Sequence, residues 1–158
     1  MVSDPAPPAF DLAERPGFLI RRLHQIHVAL FMAECAGFDV TPVQYSILTA
    51  VQTSPGLDQV RLGEAVGVDR ATLAAVLARL EGRGLVRRKP SRTDKRLRLV
   101  MPTAKAGKLL DAMEAPARRA HDRTLEALSS KARATFISAL HELVEAGNGH
   151  GRAALRIR

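Results

Sequence analysis

The stretch from Leu57 to Val100 constrains the fold more than any other part of the chain, because turn and cap residues divide it into short, tightly connected elements. Asp58 can accept the free N–H groups at the start of a short helix running through Val66. Gly67 supplies a tight turn, and Asp69 can cap a longer helix through Arg83 that stops at Gly84. After Gly84 the pattern changes. Leu85-Val86-Arg87-Arg88 and Leu97-Arg98-Leu99-Val100 predict two short strands, joined by a basic turn from Lys89 to Arg96 that also holds Pro, Ser and Asp, so a two-stranded hairpin fits.

Helices are expected on both sides of this unit. From Pro16, which suits a first helical turn, Leu19, Leu23, Ile26, Leu30 and Ala33 recur at spacings of three and four until Gly37. Thr41-Pro42 predicts a capped second helix with Tyr45, Leu48 and Val51 on one face, ending at Ser54-Pro55-Gly56. Thr103 caps a long helix with Leu110, Met113, Ala117, Ala120 and Leu128 inward; Pro116 predicts a kink in it. A last helix follows Ser129 or Ser130 and carries Phe136, Ile137, Leu140 and Val144. Residues 1–15, with Pro5, Pro7 and Pro8, are expected to form a flexible arm with a short helical turn near Asp11 to Arg15. Residues 147–158 are expected to form a basic mobile tail carrying Arg152, Arg156 and Arg158. No internal repeat is visible.

Charge narrows the function. The chain has 158 residues, one domain's worth, with 24 Lys+Arg against 16 Asp+Glu, a net +8 that favours a polyanionic partner such as nucleic acid or acidic lipid. From Arg61 to Arg98 there are eleven Lys and Arg against four acids, so nearly all of that excess lies in one quarter of the chain. The 4% aromatic content argues against an aromatic-rich binder, and the single cysteine, Cys35, against an internal disulfide framework. No apolar run approaches a membrane span and the start lacks signal-peptide regions, so a soluble cytoplasmic protein is expected. There is no phosphate-cradling glycine motif, nucleophile elbow or histidine-rich metal motif, so neither an enzyme nor a bound cofactor or metal is expected.

Helix, turn, helix, strand, basic turn and strand, in that order, are the layout of a winged helix-turn-helix, in which one helix enters the major groove while the hairpin reaches toward the backbone or minor groove. The segments LGEAVGVDRATLAAVLARLEGRGLVRR (62–88) and RTDKRLRLVMPTAKAG (92–107) resemble the DNA-binding core of the MarR family. The resemblance is carried by Leu62, Gly67, Thr72, Leu80-Glu81, Gly84-Leu85-Val86 and Asp94-x-Arg96, and it extends over about residues 16–146. One departure is Ala106, where the family usually has glycine, with Gly107 one place later. The fold class expected is mainly α with a small two- or three-stranded β wing: a winged helix-turn-helix (41–102) plus a helical dimerisation region (16–36 and 104–146).

The resemblance implies an obligate homodimer whose protomers each offer one reading head to half of a pseudo-palindromic operator in double-stranded DNA. The first helix agrees, because beside its Leu19, Leu23, Ile26, Leu30 stripe lies a second one at Ile20, His24, His27 and Phe31, too much apolar surface for an isolated peripheral helix. Base-edge or methyl contacts are expected from Arg70, Ala71, Thr72 and Ala75, and a phosphate contact from Arg79. In the wing, Arg92, Lys95 and Arg96 are the expected DNA contacts. By resemblance Arg96 is the minor-groove candidate, and Asp94 a brace that orients an arginine. Arg87, Arg88 and Lys89 equally fit a solvated strand edge.

Members of this family commonly change DNA affinity on binding a small molecule between the helical region and the winged helix, a coupling of about 1 to 3 kcal/mol being sufficient. At 100° per residue, His24, His27 and Phe31 fall within one arc with Arg21 at its edge, a set suited to a small aromatic carboxylate: guanidinium for the carboxylate, imidazole for a ring hydroxyl or nitrogen, Phe31 for stacking. Arg118 and His121 on the long helix are further candidates. The expectation is therefore a repressor of an aromatic-degradation operon, released by an aromatic acid. Three alternatives compete with it. A MarR-like redox sensor would use Cys35, but its acidic neighbour Glu34 would raise the thiol pKa. A metal sensor would need more ligands than His24 and His27 supply. An effector-blind architectural protein would bind any duplex with similar affinity.

Overall fold

The computed structural model describes residues 11–151, 153 and 155; Pro5, Pro7 and Pro8 of the expected arm and Arg152, Arg156 and Arg158 of the tail lie outside them. After a 3-10 turn at Leu12–Glu14, six α-helices follow: α1 (Pro16–Glu34), α2 (Pro42–Thr53), α3 (Gln59–Val66), α4 (Arg70–Gly82), α5 (Ala104–Thr124) and α6 (Ser130–Gly147). Strand β1 (Leu57–Asp58) precedes α3, and β2 (Val86–Pro90) and β3 (Arg98–Pro102) form the hairpin after α4. The helix starts lie where the cap residues predict. Thr41 and Gln44 close a reciprocal capping box with Pro42 in the first turn, and Asp58, Asp69, Thr103 and Ser129 each accept backbone N–H groups of the helix that follows them.

The hairpin is part of a three-stranded antiparallel sheet ordered β1-β3-β2. The expected two-strand reading is extended because Gly56 donates its N–H to the Val100 carbonyl (2.9 Å) and Leu57 pairs with Val100, so the residues leading into α3 occupy the open edge of β3. Asp58 thus ends a strand and caps a helix. The hairpin strands also begin and end later than alternation suggests, with Val86 opposite Pro102 and Pro90 opposite Arg98. Both prolines sit at strand ends, where a missing N–H costs least.

Two apolar clusters share α5. The first joins Ile47, Leu48 and Val51 of α2, Leu62 of α3, Leu73, Val76, Leu77 and Leu80 of α4, and Val86 and Val100 of the sheet, with Ala106 at the start of α5. The second joins Phe31, Cys35 and Val40 to Met113, Ala117 and Ala120. Leu109 packs against both. Each fully buried Leu contributes about 1.5 to 3 kcal/mol, so α5 is a strut anchored at both ends. Ala106, in place of the family's usual glycine, is fully buried in the first cluster, and α5 runs unbroken through it and through Pro116.

The turn between α3 and α4 depends on two glycines. Gly67 sits at φ +65°, a left-handed conformation that favours glycine, and a side chain on Gly63 would place its Cβ 3.0 Å from the Val68 carbonyl oxygen. Val68 in turn donates its N–H to Gly63 (3.0 Å), which closes the turn.

Burial at the other end of the molecule differs from expectation. Leu110 is only half-buried, and Leu128 lies beyond the end of α5, exposed. α6 contributes no buried residue: Ile137, Leu143 and Val144 are exposed, as are Leu19, Ile20 and Ile26 of α1. Among the described residues no helix is long and apolar enough to cross a membrane.

Candidate nucleic-acid interface and histidine pair

α4 has one buried face, Leu73, Val76, Leu77 and Leu80, and an exposed face that is almost entirely small. Ala71, Ala74, Ala75 and Ala78 lie exposed between Arg70 and Arg79, which are roughly 13 Å apart along the axis at about 1.5 Å per residue. Such a face lets a helix backbone approach a groove floor closely while guanidinium groups stand at either end. Asp69 fixes its first turn: Oδ1 accepts the N–H groups of Ala71 (3.1 Å) and Thr72 (3.0 Å), and Oδ2 accepts the Thr72 hydroxyl (2.7 Å). The hydroxyl proton of Thr72 is therefore used within the cap. What remains for a base edge is its methyl group and an oxygen lone pair.

The wing turn is held by its own side chains. Ser91, nearly buried, receives the N–H groups of Thr93 (3.2 Å) and Asp94 (3.4 Å) on its hydroxyl oxygen, and its N–H reaches the Leu97 carbonyl (3.0 Å). Asp94 Oδ1 accepts the backbone N–H of Arg96 (2.9 Å), so Asp94 positions an arginine through its main chain, with the guanidinium of Arg96 left exposed. Arg92 and Lys95 are exposed beside it. Arg70 and Arg96 line one cleft of about 430 Å³ that separates the start of α4 from the wing.

Arg88 is committed elsewhere. Its backbone N–H (3.0 Å) and Nε (2.9 Å) both donate to Glu81, and these bonds hold the Glu81 carboxyl below its ordinary pKa. The pair ties the end of α4 to β2. Arg87 and Lys89 are exposed along the strand.

The second candidate site lies where α1 packs along α5. His27 Nδ1 is 2.9 Å from the Thr124 hydroxyl, which itself donates to the Ala120 carbonyl (2.7 Å). A hydroxyl has one proton, so in this arrangement His27 donates from Nδ1, and its neutral ring keeps Nε2 as an acceptor. The His27 ring stacks on His121 with centroids 5.1 Å apart. Its pKa is lowered from 6.5, first by burial and then by the neighbouring His121 and His24, which favours the neutral ring near pH 7. Glu34 clamps the helices together: it accepts from Arg119 and Arg123 (both 2.8 Å), and these hydrogen bonds lower its pKa.

The structure therefore brings His27 and His121 into contact but arranges the other candidates differently. Phe31, expected as an open stacking face, is fully buried in the second cluster, where its ring meets Tyr45 at 5.5 Å and His27 at 6.3 Å; it backs the histidines as a wall. Arg21 is exposed with its guanidinium 5.3 Å from the Phe18 ring, and His24 is exposed. Arg118 pairs with Glu114 (3.3 Å), one turn earlier on α5. Cys35 is buried, and burial, then Glu34, pushes its thiol pKa up, the reverse of what a thiolate sensor needs. Tyr45, Thr124 and the Glu34 clamp were absent from the sequence-based set. Tyr45 is visible as a helix-face residue, whereas the Thr124 and Glu34 contacts join residues 85 to 97 positions apart and leave no local signal.

Comparison with known proteins agrees with this geometry. The MarR family profile matches residues 38–97. The transcriptional regulator HosA of Escherichia coli O157:H7 is 37% identical over 125 residues, 79% of this chain and 91% of that protein. PcaV, a transcriptional regulator of Streptomyces coelicolor solved with its natural ligand, is 34% identical and superposes with a TM-score of 0.82 over 88% of this chain and 98% of its own. BpsR of Bordetella bronchiseptica, whose DNA binding is regulated by 6-hydroxynicotinic acid, is 27% identical with a TM-score of 0.81, covering 85% of this chain and 96% of its own. With its helices, three-stranded wing and capped reading helix in this arrangement, the chain belongs to the MarR family of winged helix-turn-helix, DNA-binding transcriptional regulators.

Proposed function

We propose that this protein is a homodimeric repressor that binds a pseudo-palindromic operator and is released from it by a small aromatic carboxylic acid. The observation that carries the DNA half of this reading is the α4 surface, small residues between Arg70 and Arg79, set beside a wing that leaves Arg92, Lys95 and Arg96 exposed. Ala71, Thr72 and Ala75 meet base edges, Arg79 a phosphate and Arg96 the minor groove. The uncovered apolar residues of α1 and α6 support a second copy as the partner, since exposed apolar side chains of that kind are what subunit interfaces cover. The dimerisation region is then residues 16–36 and 104–146, and 41–102 the reader.

The effector half rests on the His27–His121 pair where α1 packs along α5. Neutral His27 offers an acceptor at Nε2 to a ring hydroxyl, and the His27–His121 stack offers a flat polar wall in front of Phe31. A carboxylate needs a cation. Arg118 is held by an exposed pair with Glu114, an interaction of about 0.3 to 0.5 kcal/mol that a ligand carboxylate can replace. Arg21 and His24 extend the same helix face toward solvent. The ligand of BpsR supports the chemical class. A thermal-shift screen of hydroxybenzoic and hydroxynicotinic acids tests the assignment: a hit should raise Tm in the wild type and lose that shift in His27→Ala and Arg118→Ala. No shift with any acid, or an unchanged shift in both variants, contradicts it.

A further inference from the structure

We propose that Arg83 is a positioning residue for the reading helix: its guanidinium grips the loop between α1 and α2, so that a displacement of the apolar cluster around Phe31 tilts α4 and the base-reading residues it carries. The proposal rests on the reading of α4 as the DNA-contacting helix and adds the link through which the far end of the chain controls it.

Arg83 stands where α4 ends. It caps the helix through its main chain alone, its N–H reaching the Arg79 carbonyl (3.1 Å). The side chain points elsewhere. One terminal nitrogen donates to the Phe38 carbonyl (3.0 Å) and the other to the Asp39 carbonyl, 45 and 44 positions earlier in the chain. Two charge-assisted bonds from one planar fork fix direction as well as distance. The Lys105 ammonium of α5 in turn donates to the Arg83 carbonyl (2.8 Å). The last turn of α4 is thus tied both to the α1–α2 loop and to the first turn of α5.

The loop that Arg83 grips belongs to the second apolar cluster. Cys35 and Val40 are buried there with Phe31, and Phe38 packs against it while donating its N–H to the Cys35 carbonyl (3.2 Å). Between Phe38 and Val40, Asp39 has φ +52°, the one non-glycine residue in the left-handed region among the described residues, although its side chain is exposed. Such a conformation persists only where the surroundings impose it, and here two successive carbonyls face one guanidinium. Close-packed side chains transmit a displacement instead of absorbing it. Movement of Phe31, whose ring lies 6.3 Å from that of His27, therefore reaches Phe38 and Asp39 and, through Arg83, the end of α4. Arg70 lies roughly 20 Å further along the helix at about 1.5 Å per residue, so a small tilt at Arg83 is enlarged at the bases. α2 and α5 join the two clusters through many apolar contacts, whereas Arg83 is a polar link that one substitution cuts.

The test is a double-mutant cycle between Phe31→Leu and Arg83→Met, the latter removing both donors. In ¹⁵N-labelled full-length protein without DNA, Phe31→Leu should shift the amide resonances of Arg70, Ala71 and Thr72, and in the Arg83→Met background those shifts should shrink by about half or more. On a duplex enriched from a random pool by the wild type, Phe31→Leu should change affinity by about threefold or more, and clearly less once Arg83 is replaced. The slope of log K against log salt should be the same in Arg83→Met as in the wild type, because this guanidinium meets carbonyls and no phosphate. Val40→Ala serves as the perturbation if Phe31→Leu does not fold. Resonances at the start of α4 that ignore the perturbation, or respond equally with and without Arg83, overturn the proposal. A slope shallower by about 0.9 also overturns it, since Arg83 would then be a phosphate contact. If the protein enriches no duplex, the DNA-binding reading fails, and the resonance comparison still decides the coupling.

Discussion

Thr124 accepts a hydrogen bond from His27, a residue 97 positions earlier in the chain, because its single hydroxyl proton is already given to the Ala120 carbonyl. One threonine on α5 thus sets the tautomer of a histidine on α1 and leaves Nε2 as the ring's acceptor. Thr124→Val keeps the shape and removes the acceptor, so half-buried His27 loses its partner at a cost of about 1 kcal/mol. The imidazole nitrogen spectrum should change from a single Nδ1–H tautomer to a mixture, which NMR on ¹⁵N-histidine-labelled protein detects.

The same histidine predicts a pH dependence. Its pKa in the folded chain lies below the ordinary 6.5, so the unfolded chain binds the proton more readily and stability falls as pH drops through 6.5 toward the folded value. Glu34 does not contribute in that range. Its pKa is lowered from 4.5, so its stabilisation is complete above 4.5 and is lost only as pH falls further. Denaturant titrations at about pH 7.5 and 5.5 should show the first loss. His121→Asn, which removes a neighbouring positive charge, should raise the His27 pKa and shrink the difference.

Gly63 is predicted to be intolerant of a side chain. A Cβ there lies 3.0 Å from the Val68 carbonyl oxygen, a backbone atom of the residue whose N–H closes the turn into α4, and it cannot swing aside. Gly63→Ala should cost about 1 to 3 kcal/mol, the range of an overpacked site, and reduce DNA affinity further by displacing the start of α4. Thermal unfolding and a binding titration measure the two effects separately.

In the wing, Arg96→Ala should weaken binding and reduce the salt slope by about 0.9, one cationic charge's worth of released counterion. Asp94→Ala leaves every arginine in place but removes the bond to the Arg96 N–H. It should therefore lower affinity with little change in slope, and salt titrations of the two variants side by side distinguish positioning from charge.

What could be foreseen in the sequence follows from the range of the interactions. Asp58, Asp69, Thr41, Thr103 and Ser129 act within a turn of themselves, so their caps, and with them the reader's layout, were legible from residue type and spacing. β1 was not, because the strand character of Leu57 and Asp58 comes from the free edge of β3, some 40 residues away. The histidine cluster was half legible. Helical spacing placed His24, His27 and Phe31 on one side of α1, but only tertiary packing determines that Phe31 is sealed behind the histidines and that Thr124 and His121 face His27. The apolar residues of α6 show the same limit: their periodicity predicts a helix with a buried face, and within one chain that face remains uncovered.

The proposed regulator is a pair of protomers that read two half-sites under the control of an aromatic acid. Sedimentation velocity on one enriched duplex, with footprinting of the same complex, examines all three elements in a single sample. Two protomers should bind each duplex, protection should be symmetric about a centre with half-sites about one helical turn apart, and the complex should dissociate when the acid identified by thermal shift is added. One protomer per duplex, asymmetric protection, or a complex indifferent to that acid would contradict the proposal.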